Sequence, residues 1–385
     1  MPFVVTTELV DTDDGSQLWG ARYPSTLSDI FEVQEQIAKE VVDNLKVELS
    51  GDDRRRLRKR QSENAVAYEL YLKGRYYWNK RTTDNVTKAI AYIREAIDAD
   101  PSYALAYAGL ADCYNLLGSY GAMPPAKAVP LAKAAAKKAL EIDPDLAEAH
   151  ASLGYAALTY DWDWSEAERE FNRSIQLNPN YGTAYQWYSS LLRALGQFEN
   201  AIAQAKKTVE VDPLSLIANI NLALQLYYAR RYDESIEQFK QSRELDDTFP
   251  AAFTVGLPYE QKAMYDEAIA AFQTAAVLSG NEAGAVGCLG HAYAIAGRTR
   301  EAVEVLNTLE QLSRERYISS YDRAVICCGL GDIDRAFAYL TMAYEEKNQD
   351  LTVAHVDPRL DRLHSDVRFT ELLAKIGLEL AVPPV

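Results

Sequence analysis

Between Pro179 and Asp247 the pattern of apolar, small and polar positions repeats every 34 residues. Asn178-Pro179, Asp212-Pro213 and Asp246-Asp247 fall at the same place in successive units. Twelve positions before each of these points stands a small residue, Ala167, Ala201 or Ser235, and eight before stands Phe171, Ala205 or Phe239. The same phase runs upstream through Ala89, Ala96 and Asp100-Pro101, then through Ala132, Ala139 and Asp143-Pro144. Downstream it passes through Tyr259, Ala268 and Phe272, then Tyr293, Gly297 and Ala302, then Gly331, Ala336 and Leu340. The spacing predicts eight units over residues 65–348, each a pair of helices. Small residues let the helices of a pair approach closely, and Pro stands just past a helix end, where its missing N–H costs nothing. A single pair cannot bury its apolar face, whereas a stack can.

Some stretches depart from the period. Extra residues stand at Lys80–Asn85, and one more at Asp161–Trp164. The stretch Gly118–Pro130 reads as an ordered loop, because Gly118, Gly121 and Pro124-Pro125 oppose helix continuation. Pro258 should bend the first helix of the sixth unit. Before the array, residues 2–10 and 16–23 read as two strands around a turn at Asp14-Gly15. Ile30, Val33, Ile37, Val41, Leu45 and Leu49 form the stripe of an amphipathic helix over 28–49. A lone hairpin is marginal, so residues 1–50 need something to pack on, and pairing of two copies of the chain is one answer. Residues 51–64 form a basic linker, with six of the seven positions 54–60 being Arg or Lys. It reads either as a solvated segment or as a dock for an acidic surface. After the array, 349–385 should close the stack, with a capping segment at 357–378 carrying Leu360, Leu363, Phe369, Leu372, Leu373 and Ile376, and then a tail.

Composition narrows the function. With 48% hydrophobic residues the chain is not disordered, and a net charge of -16 argues against nucleic acid as a partner. Four Cys, two of them adjacent at Cys327-Cys328, form no disulfide framework and fit a reducing compartment. No stretch is long and apolar enough to span a membrane, and no signal segment is present, so the chain reads as cytoplasmic. No phosphate loop, zinc spacing or nucleophile elbow occurs. His150 and His291 are expected on helix surfaces or in the groove, and His355 and His364 in capping hydrogen bonds near Asp357 and Asp361. No enzyme activity, cofactor or metal is expected.

The 34-residue period with its small residues and Asp-Pro resembles the tetratricopeptide (TPR) repeat. Two longer stretches extend the likeness. GSQLWGARYPSTLSDIFEVQEQIAKEVVDNL (Gly15–Leu45) resembles the end of the small α/β domain found beside TPR arrays in bacterial signalling proteins. AYELYLKGRYYWNKRTTDNVTKAIAYIREAIDADPSYALAYAGLADCY (Ala67–Tyr114) resembles the array that follows it. In that family the array follows an adenylate or guanylate cyclase, a serine/threonine kinase or a winged-helix DNA-binding domain. The resemblance implies an all-α, right-handed superhelix with an N-terminal β-hairpin and helix, and only the last part of the small α/β domain. Its catalytic and DNA-binding activities have no residues here to carry them.

In such a superhelix the first helix of each unit lines the concave face. By register Tyr68, Tyr71, Arg75 and Trp78 face inward from unit one, Asp112 and Asn115 from unit two, and Tyr155 from unit three. Gln186 and Arg193 follow from unit four, Tyr227 and Tyr228 from unit five, and Phe253, Glu260 and Gln261 from unit six. These residues are expected to contact a protein or peptide held in the groove, with Tyr71, Arg75, Trp78, Tyr227 and Tyr228 as anchors. The groove lacks the Lys/Asn set that grips an acidic C-terminal carboxylate. Two functions stand: a scaffold for a polypeptide, or the regulatory part of a cyclase, kinase or transcriptional regulator. The stretch Ser119–Val129 would shape the rim.

Overall fold

The computed structural model describes residues 2–11, 14–26, 33, 36, 37, 39–41, 44 and 64–380. The basic run at 54–60 lies outside them, as does much of the helix expected over 28–49. The described residues of that helix are helical, and the Tyr23 hydroxyl donates to Glu40 Oε2 at 2.8 Å. The strands Pro2–Val10 and Gln17–Thr26 pair antiparallel, with Val5 opposite Tyr23.

From Ala65 onward the chain is a TPR superhelix of consecutive helix pairs, eight of them up to Glu345. The first helices of units four and five start at Gly182 and Leu216, and unit six starts at Pro250, 34 residues apart each time. The unit boundary has a local cause. At Asp100, Asn178 and Asp246 the backbone turns extended (φ -143°, -141° and -159°) and ends the helix. The side-chain oxygen then accepts the N–H two residues on, from Ser102, Asn180 and Thr248, at 2.8–3.1 Å. This is the Asx turn for which Asp and Asn are suited. Within a unit the turn closes differently. The N–H groups of Gln197, Arg231, Met264, Arg298 and Asp332 reach back five residues to the helix. The residue before each adopts a left-handed conformation. That is a Schellman cap, which favours Gly, and Gly196, Gly297 and Gly331 supply it; Arg230 holds the same place at φ 62°.

The small residues of the second helices serve close packing. Ala89, Ala167, Ala268, Ala302 and Ala336 have no exposed surface, Ala201 only 1%, and the Ser235 hydroxyl donates to Ala223 O at 2.7 Å. At two first-helix glycines an aromatic ring fills the space. A Cβ on Gly154 would lie 2.9 Å from Phe171, and one on Gly256 2.5 Å from Phe272.

One expectation needs correction. Gly118–Pro130 is mostly helix: the first helix of unit two runs to Ser119 and the second spans Pro125–Ile142, leaving a short turn. Pro125 sits in the first turn, where its missing N–H is unused, and Pro130 is tolerated one turn further on. The extra residue noted near Asp161 is taken up in a π-helical turn, Ala157–Asp161, before the left-handed Trp162. The break expected at Pro258 falls just before it. A 3-10 helix, Pro250–Val255, gives way to an α-helix at Gly256–Gln261. Pro258 has no N–H for the carbonyl of Thr254, so a continuous helix would lose that bond.

The stack makes a turn and meets itself. The Thr83 N–H donates to Glu282 Oε1 at 3.1 Å, joining unit one to the start of unit seven, and the Tyr317 ring lies against Gly121.

Candidate binding site

After Glu345 the chain does not simply cap the last pair. It runs back through the inside of the superhelix as a strap of two 3-10 turns, Gln349–Val353 and Pro358–Leu363, and ends in a helix, Val367–Lys375. Residues 351–358 are all buried. The strap touches the first helices of six units. Gln349 donates to Ser119 O and accepts from the Tyr155 hydroxyl, both at 3.1 Å. Val353 and Val356 join the apolar cluster of Leu226, Tyr227 and Tyr228. The buried His355 interacts with the backbone at Ala194. Asp357 accepts from the Tyr321 hydroxyl at 2.8 Å and pairs with Arg359 at 2.7 Å. Arg359 in turn approaches Cys288 Sγ at 3.7 Å. Asp361 takes a two-pronged grip from Arg230, at 2.7 and 2.9 Å. Arg230 thus accepts an unfavourable left-handed backbone while its guanidinium fastens the strap. Further on, Trp164 Nε1 donates to Ile376 O at 3.1 Å.

None of the fourteen residues expected to face a ligand is exposed. Tyr71, Trp78, Asp112, Asn115, Tyr227, Tyr228, Phe253 and Glu260 are buried, and Tyr68, Arg75, Tyr155, Gln186, Arg193 and Gln261 are half-buried. The structure gathers many of them at the amino end. Arg75 Nη1 donates to Asp112 Oδ2 at 2.9 Å, and Asp112 also accepts from Ser152 Oγ at 2.5 Å. Both Arg75 and Arg81 lie over the Trp78 ring, at 3.9 and 3.5 Å from its centre. Asn115 donates to Ser152 O at 3.1 Å. Arg193 lies over the Tyr228 ring at 4.6 Å, and Asp350 of the strap feels its charge. Phe253 lies under Arg243 at 4.8 Å, away from the strap. Glu260 pairs with His291 Nδ1 at 2.9 Å in a nearly closed environment. His291 is therefore a core residue rather than a surface or groove one. His150 bonds Glu170 at 2.7 Å.

A cleft stays open between the strap, the turn after Ser119 and units seven and eight. Its volume is about 270 Å³, and Tyr228, Glu282, Cys288, Tyr317, Asp322 and Asp350 are among its walls. A second hollow of about 530 Å³ adjoins it, sharing Tyr120, Glu282 and Tyr317 and reaching Thr82 and Asn85. Burial, and then the charge of Asp350, raise the Asp322 carboxyl to about 7. Burial, with Asp357 adding to it, raises Asp350 to about 6. Burial also pushes the Cys288 thiol up to about 12, and it lowers His355 to about 4, which keeps that ring neutral. Among the described residues no group of three or more His, Cys, Asp or Glu is placed to hold a metal, and no helix is long and apolar enough to cross a membrane.

Asp322, Asp350 and the strap were not among the sequence-derived candidates. A signal for the strap existed. Leu351-Thr352-Val353-Ala354-His355-Val356 is apolar without the one-sided period of a surface helix, which points to burial on all sides.

Comparison with known proteins agrees with the fold. The family model for the tetratricopeptide repeat matches residues 71–122 and 189–248. The chain is 25% identical over 167 residues to the transcriptional regulator HilA of Salmonella typhimurium, covering 43% of this chain and 30% of that one. It is 27% identical over 106 residues to putative adenylate cyclase 3 of Rhizobium meliloti, covering 28% of this chain and 18% of the cyclase. The chain thus spans less than a third of the length of these relatives. Among solved structures it is similar to the APC/C hetero-tetramer Cut9–Hcn1, with 18% identity and a TM-score of 0.55, covering 83% of this chain and 56% of that one.

Proposed function

We propose that this protein is a non-enzymatic scaffold that holds a polypeptide on the concave face of its superhelix. The observation that carries this reading is the strap. An irregular segment of the protein's own chain already lies along the first helices of six units, fixed by buried apolar side chains, hydrogen bonds from Gln349 and Tyr321, and the Arg230–Asp361 ion pair. A partner segment would use the same kinds of contact. The groove residues proposed for it are Tyr68, Tyr71, Arg75, Trp78, Asp112, Asn115, Tyr155, Gln186 and Arg193 at the amino end. Tyr227, Tyr228, Phe253, Glu260 and Gln261 follow. The buried ones among them become available only as the strap or the neighbouring units shift.

The test is site-specific crosslinking. A photoreactive residue at Gln186 or Gln261, both half-buried, should yield defined polypeptide adducts in bacterial lysate. One at Leu214, 78% exposed on a unit boundary, should not. Equal adducts at all three positions, or none at the groove positions, would refute the assignment.

A second reading is favoured by the relatives. HilA is named a transcriptional regulator and the Rhizobium protein a putative adenylate cyclase, and the matches cover only part of each. On this reading the superhelix senses or regulates for an output domain in bacterial signalling. A screen of purified cyclase, kinase and winged-helix domains for binding to this chain checks it, and absence of binding to any of them removes its support.

A further inference from the structure

The cleft between the strap and units seven and eight shares Tyr228 with the groove proposed for a polypeptide, but Glu282, Asp322 and Asp350 are not among the residues proposed for it. Its charge is unbalanced. Arg359 is engaged by Asp357 at 2.7 Å, Arg323 lies 3.9 Å from Glu346, and Arg193 rests on the Tyr228 ring. Glu282, Asp322 and Asp350 line the same cleft, and none of them forms an ion pair among the described residues. Among the described residues the Glu282 carboxylate accepts only the Thr83 N–H. Asp322 and Asp350 are half-buried, and Arg359, Arg323 and Arg193 act on them while engaged elsewhere, so loss of hydration outweighs their attraction and raises both carboxyls towards neutrality.

The walls carry a second, independent sign. Tyr228 is only 8% exposed, lines the cleft, and its hydroxyl has no hydrogen-bond partner. The hydroxyl of a tyrosine whose ring is this buried ordinarily finds a protein partner, and this one is left to the cleft that Tyr228 lines. Tyr317 and Tyr321 supply two further aromatic surfaces. Carboxylates at one end of a cavity walled by tyrosines recognise a cation through charge and through the ring faces together. The volume of about 270 Å³ suits a group of roughly ten heavy atoms, and the adjoining hollow leaves room for an aliphatic stem.

We infer that this cleft binds an organic cation, a primary ammonium or guanidinium group on an aliphatic stem, between Asp322, Asp350 and the Tyr228 hydroxyl. The group is supplied either by a free amine or by a Lys or Arg side chain. The site shares Tyr228 with the scaffold reading but is tested apart from it, because a free amine is titrated with no polypeptide present.

The experiment is titration calorimetry of the full chain with cadaverine, agmatine and, as an uncharged control, pentane-1,5-diol. At about pH 8 both carboxyls are ionised in the empty site, and the two cations should bind while the diol does not. Asp322→Asn and Asp350→Asn should each weaken cation binding by at least about tenfold. A wild-type measurement needs no variant. At about pH 6.5 cation binding should release protons from the two carboxyls, seen as a dependence of the heat on buffer ionisation. Glu282, Asp357 and Glu346 and the cations Arg193, Arg323 and Arg359 face these two groups and set the size of the release. An acetylated Gly-Lys-Gly amide that binds as cadaverine does identifies the side chain as source, and one that does not identifies the free amine. The inference is overturned if cations and diol give the same heats. It is also overturned if the Asn variants keep wild-type affinity, or if inorganic phosphate binds in place of the cations.

Discussion

Replacing Asp357 with Ala tests whether the strap is held by its buried ion pair. Asp357 has no exposed surface, and its carboxylate takes the Tyr321 hydroxyl at 2.8 Å and Arg359 Nη2 at 2.7 Å. It also accepts the Arg359 N–H at 3.0 Å. The charge of Arg359, together with these bonds, outweighs burial and holds the Asp357 carboxyl below its ordinary value. Its removal leaves the largely buried Arg359 without its direct ion-pair partner, with Asp350 and Asp322 acting on it only as further charges of the same cleft, and leaves the Tyr321 hydroxyl unpaired. Breaking one side of a buried pair costs about 3–5 kcal/mol, and the orphaned hydroxyl overlaps that figure rather than adding to it. A cost of about 4 kcal/mol raises the population of strap-open molecules about a thousandfold. Repeat arrays open in segments, so the readout is hydrogen exchange followed peptide by peptide. Peptides covering 349–363 should exchange up to about a thousandfold faster, while the second helices of units four and five change little. Cys288 should also react faster with a thiol reagent, because opening removes the burial that holds its thiol up at about 12. The double variant Asp357→Leu/Arg359→Met should recover part of the protection, since it leaves no buried charge. Exchange in 349–363 within about threefold of wild type in Asp357→Ala would refute the reasoning.

Three further outcomes are expected. In the unfolded chain Asp322 and Asp350 titrate near 4, against about 7 and 6 when folded, so the folded protein holds more protons in between and loses stability as pH rises through that window. His355, lowered to about 4, acts in the opposite sense, with its contribution present above about 6.5 and lost as pH falls. Thermal melts should therefore show wild type losing ground to Asp322→Asn/Asp350→Asn as pH rises from about 5 to 8, and a constant difference would contradict this. Gly256→Ala places a Cβ 2.5 Å from the Phe272 ring, so chemical denaturation should show a loss of about 1–3 kcal/mol, and a neutral result would mean that the ring moves freely. If copies of the chain pair through residues 1–50, deleting that segment turns a dimer into a monomer by light scattering; an intact chain that is already monomeric rules the pairing out.

The sequence by itself determined what rests on contacts between near neighbours. Asp100, Asn178 and Asp246 stop their helices because their side chains capture an N–H two residues on, and any chain with these residues before a Pro or polar residue has the same local option. Ala201 and Ser235 are buried because two helices of one pair must approach there, and the 34-residue period made that legible. The helical fate of Pro125 and Pro130 was misread because Pro signals a break locally, whereas the first-turn position of Pro125 tolerates it and the helix continues through Pro130 at the loss of one N–H donor. Tertiary structure alone decided the rest. Gln349 meets Tyr155 and Ser119 at separations of 194 and 230 residues, and Thr83 meets Glu282 at 199. No local pattern encodes such pairings, because they depend on the summed small rotations of the stacked units, which bring the turn back on itself. The apolar run from Leu351 to Val356 announced that it would be buried, yet only the closed curve of the superhelix offered the inside face on which it lies. The same curve covers Tyr227 and Tyr228 with the strap and brings Asp322 and Asp350 to one cleft.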